Sequence, residues 1–271
     1  MQGANVRDGL KPLSELISLQ GKRALITGSA RGIGKAIAYR FAEAGADLVL
    51  VDIDAKGLNG LKEELSPYSV DVAISRVDVS EKKEVDDLWD TLLGREPSIL
   101  VNNAGISPFE DFLEIDQAYL SKLIAVNLNS VFWMCQNMIK RRAKKGGVII
   151  NMGSIEAVLP FKEGLTHYNI SKAGVLALTR TLAKDYGKKG FRINAILPGG
   201  IITPGTKSAA TEIFKLNFGL IKSGIEFKAR LPLGRFGKPD EIARMAVVLA
   251  SDLSSYMHGA LIAVDGGFLS A

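Results

Sequence analysis

The sequence predicts an α/β protein built on a doubly wound parallel sheet, with helices on both faces in three α/β/α layers. Two observations predict this fold. Short apolar runs, typical of buried parallel strands, alternate along the chain with helical stretches, and the first run ends in a glycine-rich turn that leads into a helix. No repeat, low-complexity segment or linker divides the 271 residues. We therefore expect a single domain over 18–271, preceded by an N-terminal arm at 1–17.

Composition excludes several classes of protein. Hydrophobic residues make up 47% and charged residues 23% of the chain, as is usual for soluble globular proteins. No apolar run approaches the roughly 18 residues needed to span a bilayer. The first residues also lack the apolar core of a signal peptide. From these features we expect a cytoplasmic protein without a membrane partner.

Neither a metal nor a nucleic acid is an expected ligand. Cys135 is the only cysteine, and His167 and His258 are far apart in sequence, which is not a metal-ligand spacing. The net charge is +5, yet the basic residues are spread among acidic ones, except in the cluster at 140–145. That cluster lies at the end of a predicted helix, where cations complement the helix dipole, and it has no interleaved aromatic residues.

The first predicted strand, at 23–28, begins an arrangement typical of dinucleotide binding. It runs into the turn Gly28–Gly34, a helix follows, and a second strand at 47–52 ends in Asp52. Glycines let the backbone turn tightly and approach a pyrophosphate, while the helix N-terminus supplies amide donors. Asp52 is placed to accept hydrogen bonds from an adenosine ribose. The candidate cofactor residues of this part are Gly28, Arg31, Gly32, Ile33, Gly34, Asp52 and Ile53.

The alternation continues through the middle of the chain. A predicted strand at 70–78 ends in Asp78, and a charged helix is predicted over 81–93. Another strand, from Ser98, runs into Asn102–Gly105, which suits cofactor binding by side-chain amide and close backbone approach. The stretch 116–139 is predicted to be largely helical and contains Asn127. The candidate cofactor residues here are Asp78, Val79, Asn103, Ala104 and Gly105.

The stretch from Val148 to Lys172 carries the clearest chemical pattern. An apolar strand at 148–152 is followed by Ser154, and a helix begins near Tyr168. Positions four apart lie on one face of a helix, so the Tyr168 phenol and the Lys172 ammonium can face one cleft. A free phenol has a pKa of about 10, and a nearby ammonium is expected to lower it. With a hydrogen bond from Ser154 to a substrate oxygen, these groups suit proton transfer to or from an alcohol or carbonyl oxygen.

The rest of the chain completes the pattern. A strand at 191–197 ends at Pro198, a helix is predicted over 239–251, and a last strand and turn occupy 261–267. Residues 204–232 mix Gly, Lys, Phe and Ile without strand periodicity. We expect them to form a partly helical lid over a substrate.

These motifs, in this order, resemble those of the short-chain dehydrogenase/reductase family in its compact form. The resemblance extends from about Leu19 to the C-terminus, and it implies a single domain of the Rossmann type. Each motif is weak alone, whereas the whole ordered set is highly specific. The matching segments are Thr27–Gly34, Asp78, Asn102–Gly105, Asn127, Ser154, Tyr168 with Lys172, Pro198–Thr203 and Val264–Gly267.

The resemblance implies an NAD(P)-dependent oxidoreductase acting on CH–OH groups. Tyr168 would be the general acid in reduction and the general base in oxidation, and Ser154 would orient the substrate oxygen. Lys172 would lower the tyrosine pKa and hydrogen-bond the nicotinamide ribose, while Asn127 would hold a water that links Lys172 to solvent. The family is usually tetrameric, so a homotetramer is expected. Further cofactor contacts are implied for Pro198, Gly199, Ile201 and Thr203.

Two positions bear on the choice between NAD and NADP. Asp52 favours NAD, because a carboxylate there would repel the 2′-phosphate of NADP. Arg31 occurs in many NADP-using relatives and favours the opposite choice, whereas Ile53 occupies a position where such relatives often carry arginine. The Asp52 carboxylate is expected to act on the 2′ position at closer range than Arg31 does, so the sequence predicts NAD.

The substrate is predicted from the loop between Ser154 and Tyr168. Glu156, Lys162, Glu163 and His167 populate this loop, and Glu156 and His167 are the candidate substrate residues. Polar groups beside a cleft suit a hydroxylated substrate such as a sugar or polyol. An exposed loop with ordinary surface charge explains the same residues. Apolar residues of the 204–232 segment favour instead an apolar ketone or an acyl chain; they are Phe214, Phe218, Ile221 and Phe227.

Three functions stay open from the sequence. The first is an NAD-dependent dehydrogenase of an alcohol, sugar or polyol. The second is a reductase of 3-oxoacyl thioesters or apolar ketones, for which NADPH is expected and against which Asp52 argues. The third is a catalytically silent nucleotide-sensing protein that has kept the fold. The presence of both Tyr168 and Lys172 argues against this third function.

Overall fold

A seven-stranded parallel sheet forms the centre of the computed structural model, which describes residues 10–203 and 226–271. The strand order is β3-β2-β1-β4-β5-β6-β7, and each neighbouring pair runs parallel. The predicted doubly wound sheet is thereby confirmed. The strands are β1 (Arg23–Thr27), β2 (Asp47–Asp52), β3 (Val72–Arg76), β4 (Ile99–Asn102), β5 (Gly147–Met152), β6 (Phe191–Pro198) and β7 (Leu261–Val264).

Helices connect and cover these strands. A π-helical turn at Ala125–Asn129 joins α5 to α6, and short 3-10 turns include Ile155–Ala157 and Phe268–Ser270. No helix within the described ranges is long and apolar enough to cross a membrane. The α-helices are α1 (Leu13–Ile17), α2 (Gly32–Glu43), α3 (Ala55–Glu64), α4 (Lys82–Thr91), α5 (Gln117–Ile124), α6 (Ser130–Arg141), α7 (Thr166–Tyr186) and α8 (Pro239–Ala250).

The three layers follow from the alternation of side chains along buried strands. On β1, Ala24 and Ile26 pack in one apolar cluster, while Leu25 packs in a second cluster on the opposite face. The first cluster includes residues of α2 and α8, and the second includes residues of α4, α6 and α7. Because both faces are covered by helices, most strand positions are apolar.

Several boundaries differ from those predicted. Helix α2 begins at Gly32, within the predicted turn Gly28–Gly34 rather than after it, and β3 is shorter than the predicted strand at 70–78. Helix α3 was not predicted; it buries Leu58 and Leu61, and its N-cap Asp54 accepts a hydrogen bond from the Gly57 amide. Residues 1–9 of the expected arm and 204–225 of the expected lid, with Phe214, Phe218 and Ile221, lie outside the described residues.

The described part of the 204–232 segment includes one aromatic residue expected to cover a substrate. Phe227 is buried and its ring stacks on that of Phe268 with a centroid distance of 4.6 Å. It therefore belongs to a third apolar cluster, together with Ile155, Leu197 and Leu231. This cluster connects the segment after β5 with the C-terminal residues.

The strand order reverses between β1 and β4, and the carboxyl ends of all strands meet at one edge of the sheet. In open parallel sheets, ligands bind outside these ends at the point of reversal. The predicted site residues lie at the ends of strands β1 to β6 or in the segments that follow them. The topology thus brings together parts of the chain that are far apart in sequence.

Candidate active site

The turn after β1 lies against the segment after β4. Gly28 has a φ of 65°, a left-handed conformation that favours glycine. A β-carbon at Gly28 would lie 2.8 Å from the Ala104 Cα, and one at Gly34 would lie 2.1 Å from the Gly28 carbonyl oxygen. Only glycine fits at these two positions, and the resulting open backbone suits the close approach of a pyrophosphate.

Thr27 and Asn103 fix the two segments to each other. The Thr27 hydroxyl oxygen accepts hydrogen bonds from the Asn103 and Ala104 amides, both at 3.0 Å. The Asn103 side-chain amide donates to the Thr27 and Gly28 carbonyl oxygens at 3.0 and 2.9 Å. The Asn103 side chain therefore holds the start of the glycine turn by its carbonyl oxygens, and Thr27 orients the segment that leads to Gly105.

The carboxylate of Asp52 lies beside the glycine turn, as predicted. It accepts hydrogen bonds from the Ala30 and Asp54 amides, both at 3.0 Å. Two other predicted cofactor residues are exposed: Arg31 in the glycine turn, and Ile53, which follows Asp52 and is 62% exposed. Asp52 thus places a negative charge at the end of β2, where the sequence predicts the adenosine ribose.

The remaining predicted cofactor residues lie along the same edge of the sheet. Asp78 follows β3 and accepts hydrogen bonds from the amide and hydroxyl of Ser80, and Val79 is buried. After β6, Thr203 comes close to the glycine turn, since a β-carbon at Gly32 would lie 3.6 Å from the Thr203 side chain. Pro198, Gly199 and Ile201 lead from the strand to Thr203.

Tyr168 and Ser154 form the centre of the candidate site. Ser154 is buried just after β5, and Tyr168 lies in the first turn of α7. Burial raises the pKa of the Tyr168 phenol, a hydrogen bond with Ser154 lowers it, and the charge of Glu156 raises it. The expected lowering of this pKa by Lys172 is not found, because desolvation dominates. The phenol is therefore held in its protonated form.

The ammonium of Lys172 is buried in the protein. Its Nζ donates a hydrogen bond of 2.9 Å to the Met152 carbonyl oxygen and lies 5.8 Å from the centroid of the Tyr168 ring. Burial lowers the pKa of Lys172 to about 8. The side chain is thus still largely cationic at neutral pH, close to the face of the tyrosine.

Asn127 lies in the π-helical turn between α5 and α6, a feature often found at functional sites. Its side chain is fully buried, accepts a hydrogen bond from the Ile106 amide, and donates to the Ile106 carbonyl and the Ser171 hydroxyl. A β-carbon at Gly105 would lie 3.3 Å from the Asn127 Oδ1 and 3.5 Å from the Lys172 Nζ. Glycine therefore leaves room between these two polar groups.

The two candidate substrate residues have different surroundings. Glu156 is buried beside Ser154, whose hydroxyl oxygen accepts a hydrogen bond of 3.2 Å from the Glu156 amide. His167 is buried against the preceding segment, where its Nε2 is 3.0 Å from the Pro108 carbonyl oxygen and its ring meets Tyr119 edge-on. It does not line an open cleft as expected, so we do not retain it as a substrate contact.

Two contacts of this site were missed at the level of sequence. The Met152 carbonyl that binds Lys172 is a backbone group, which leaves no signature in the residue type. Ser171 accepts a hydrogen bond from Asn127, and its hydroxyl donates to the Tyr168 carbonyl oxygen at 2.7 Å. Its position directly before Lys172 is the signal by which it could have been found.

Comparison with known proteins assigns the family. The family model described as enoyl-(acyl carrier protein) reductase matches residues 28–269. A 3-oxoacyl-[acyl-carrier-protein] reductase of Chlamydia pneumoniae is 36% identical, covering 93% of this chain and 98% of its own. An L-rhamnose-1-dehydrogenase of Scheffersomyces stipitis is 37% identical, with 92% and 96% covered.

Solved structures give the same assignment. The L-sorbose reductase of Gluconobacter frateurii, in complex with NADPH and L-sorbose, has a TM-score of 0.85 and 33% identity, covering 94% of this chain and 99% of its own. The chain belongs to the short-chain dehydrogenase/reductase family. It is an NAD(P)-dependent oxidoreductase that acts on CH–OH or carbonyl groups of small molecules.

The burial of Lys172 predicts a pH-dependent stability. The pKa is about 8 in the folded protein against the usual 10.5, so between these values the unfolded chain binds more protons. The free energy of unfolding therefore rises with pH across this window. In Lys172→Met this contribution is absent. We expect the difference in unfolding free energy, wild type minus variant, to rise by up to about 3 kcal/mol from pH 8 to 10.5.

Urea unfolding of both proteins at a series of pH values across this window measures the difference. The control is Lys122→Met, because Lys122 is exposed on α5. The difference in unfolding free energy between this variant and the wild type should not change with pH. A flat profile for Lys172→Met as well would show that the Lys172 ammonium is not desolvated in the folded protein.

Proposed function

We propose that this protein is an NAD-dependent dehydrogenase that oxidises a secondary hydroxyl group of a sugar or polyol, or reduces the corresponding carbonyl. The observation that carries this proposal is the convergence of Ser154, Tyr168 and Lys172 at the carboxyl end of β5, at the same sheet edge as the glycine turn and Asp52. Such a group of side chains moves a proton to or from a substrate oxygen.

Tyr168 is the proposed proton-transfer residue. In reduction its phenol donates a proton to the carbonyl oxygen, and in oxidation its phenolate accepts the hydroxyl proton. The raised pKa favours the phenol form, which suits donation. Ser154 is proposed to hold the same substrate oxygen by hydrogen bonding, which fixes the distance over which the proton moves.

Lys172 and Asn127 are proposed to support this proton transfer. When the tyrosine loses its proton, the ammonium of Lys172, 5.8 Å from the ring centroid, stabilises the negative charge. Asn127 holds Ile106 and Ser171 by hydrogen bonds and thereby shapes the space beside Lys172. In this role it positions the neighbouring groups, and it is further proposed to hold a water that links Lys172 to solvent.

The cofactor is proposed to bind along the carboxyl ends of the strands. The open backbone at Gly28 and Gly34 suits the pyrophosphate, and Asp52 suits the ribose of NAD because its charge disfavours a 2′-phosphate. A bound nicotinamide supplies hydride transfer, which is the chemistry of the cofactor itself. Further proposed contacts are Arg31, Gly32, Ile33, Ile53, Asp78, Val79, Asn103, Ala104, Gly105, Tyr168, Lys172, Pro198, Gly199, Ile201 and Thr203.

A hydroxylated substrate is supported by Glu156. This buried carboxylate lies two residues beyond Ser154, and one of its oxygens has no hydrogen-bond partner among the described residues. An ionised carboxylate only accepts hydrogen bonds, and hydroxyl groups of a sugar or polyol can supply them. Relatives that act on L-rhamnose and L-sorbose support the same class of substrate.

Reduction of a 3-oxoacyl thioester with NADPH is the second candidate function. It is favoured by the 36% identity to the Chlamydia pneumoniae reductase, and the use of NADPH by the L-sorbose reductase weakens the argument for NAD. Against it stand the charge of Asp52 and the buried carboxylate of Glu156. The homotetramer, the cytoplasmic location, the arm at 1–17 and the lid at 204–232 stay predictions.

The first experiment measures initial rates with NAD and with NADP against a panel of substrates. The panel contains sugars, polyols, sugar acids, simple secondary alcohols and 3-hydroxyacyl thioesters. We expect NADH formation on a sugar or polyol, because the site combines Asp52 with Glu156. Activity with NADP alone, or on thioesters or apolar alcohols alone, would favour the second candidate.

Tyr168→Phe should lose activity without losing the cofactor. Removal of the hydroxyl takes away the proposed proton donor, and such groups contribute about 100-fold to about 10,000-fold to a rate. We expect a fall of that size in kcat, with nucleotide affinity, measured by titration calorimetry, close to that of the wild type. Tyr256→Phe, at a fully exposed position, is the control. A variant that keeps more than a tenth of the wild-type kcat contradicts the role of Tyr168.

Changes at Asp52 test the choice of cofactor. Asp52→Ala removes the acceptor proposed for the ribose hydroxyls, and hydrogen bonds to charged groups contribute about 1.5–3 kcal/mol. We expect kcat/KM for NAD to fall by about 10-fold to about 100-fold and that for NADP to rise. Asp52→Asn removes the charge but keeps the shape of the side chain and an acceptor for the Ala30 amide, so it tests the charge alone. Unchanged NAD kinetics with no gain for NADP would refute the assignment.

A further inference from the structure

Glu156 has one carboxylate oxygen in use and one free. Its Oε2 accepts hydrogen bonds from the Phe161 amide at 3.0 Å and the Lys162 amide at 3.5 Å. Its Oε1 is buried and has no hydrogen-bond partner within 10–203 and 226–271. A buried acceptor without a donor costs free energy. A donor supplied by a ligand would remove that cost.

Lys162 presents the complementary group in the same loop. Its backbone amide faces the Glu156 carboxylate, yet within the described ranges its ammonium makes neither an ion pair nor a hydrogen bond with a protein group. Burial lowers the pKa of Lys162, and the charge of Glu156 opposes that change. The Lys162 side chain is half-buried, and its ammonium carries three donors for which the described residues supply no acceptor.

An aromatic cluster holds this ammonium in place. The Lys162 Nζ lies 5.2 Å from the centroid of Phe227, a cation–π distance. Phe227 itself stacks on Phe268 at 4.6 Å and on Phe236 at 5.7 Å, and Phe161 meets it edge-on at 5.5 Å. Because the ring is fixed on several sides, Lys162 is oriented before a ligand arrives, which lowers the entropic cost of binding.

Both groups lie beside the proposed proton-transfer residues. The Glu156 amide binds the Ser154 hydroxyl oxygen, and the Glu156 charge raises the pKa of Tyr168. The same charge raises the pKa of Lys162, against the lowering caused by burial. Glu156 thus adjoins Ser154 through its own amide and Lys162 through the Lys162 amide, so the part of a substrate next to an oxygen held by Ser154 would extend toward this pair.

We propose that Glu156 and Lys162 together form a subsite for a vicinal diol next to the reacting carbon. One hydroxyl donates to the Glu156 Oε1, and its neighbour accepts from the Lys162 Nζ. Hydroxyl groups both donate and accept, so adjacent ones satisfy a free acceptor and a free donor together. The opposite charges of the two side chains balance, so the subsite favours a neutral sugar or polyol over a sugar acid.

This inference rests on the proposed function and makes Lys162 a specificity residue. A 3-oxoacyl thioester has no diol at this place and would leave both groups without partners. Sites built to bind a hydroxyl discriminate strongly against analogues that lack it, because the buried polar groups stay unpaired. We therefore expect the enzyme to select its substrate by the positions of the hydroxyl groups rather than by size.

The test compares wild type, Glu156→Gln and Lys162→Met on four substrates. These are the best neutral sugar or polyol of the panel, its two monodeoxy analogues that each lack one hydroxyl beside the reacting carbon, and the matching sugar acid. We expect each variant to raise KM for the parent substrate by about 10-fold to about 100-fold, with kcat changed much less. On the analogue that lacks the hydroxyl bound by the replaced side chain, the same substitution should raise KM little further.

Matched variants separate this role from a structural one. Glu163→Gln alters an exposed residue of the same loop and should leave KM unchanged, and Lys162→Arg keeps a donor and should restore most of the affinity. Equal losses on every alcohol, or a Lys162→Met effect confined to the sugar acid, would overturn the diol subsite while leaving the proposed function intact. Turnover of thioesters alone would overturn the proposed function itself, and the subsite with it.

Discussion

The burial of one ammonium group organises the candidate site. Lys172 extends from the second turn of α7 to the carbonyl of Met152, the last residue of β5, and this bond fixes the helix against the end of the strand. Ser154 follows Met152 by two residues, and Tyr168 precedes Lys172 by one helical turn. This contact, together with the packing of α7 on the sheet, brings them to one place. Since a buried charge requires a hydrogen-bonded partner, the carbonyl is as necessary as the lysine.

Much of the fold could be predicted because parallel strands buried on both faces are nearly continuous apolar runs. The first two strands were placed within a residue, whereas α1 and α3 were missed. Helix α3 contains Gly57 and Gly60, which are poor helix formers, and it buries only Leu58 and Leu61. Its stability comes from the Asp54 cap and from packing on the sheet, and neither leaves a strong periodic signal in the sequence.

The sequence indicated which side chains would lie together in the candidate site, but it did not indicate their pKa values. The spacing of Tyr168 and Lys172 placed both on one helix face, but the sequence does not show how deeply they are buried. Desolvation raises the pKa of Tyr168, whereas a nearby cation alone was expected to lower it. The π-helical turn that carries Asn127 was equally hidden, because an inserted residue in a helix changes hydrogen bonding without changing composition.

Overall similarity does not separate the possible substrates. The chain is 36% identical to a thioester reductase and 37% identical to a sugar dehydrogenase, each over more than nine-tenths of its length. The proposed proton-transfer residues suit both reactions, because each moves a proton to or from the substrate oxygen while the cofactor transfers the hydride. We propose that discrimination resides in the loop after β5, where Glu156 and Lys162 lie. An acyl chain gains nothing from a buried carboxylate oxygen without a donor. In the proposed subsite a polyol hydroxyl supplies that donor, and the cost of burying the carboxylate is thereby offset.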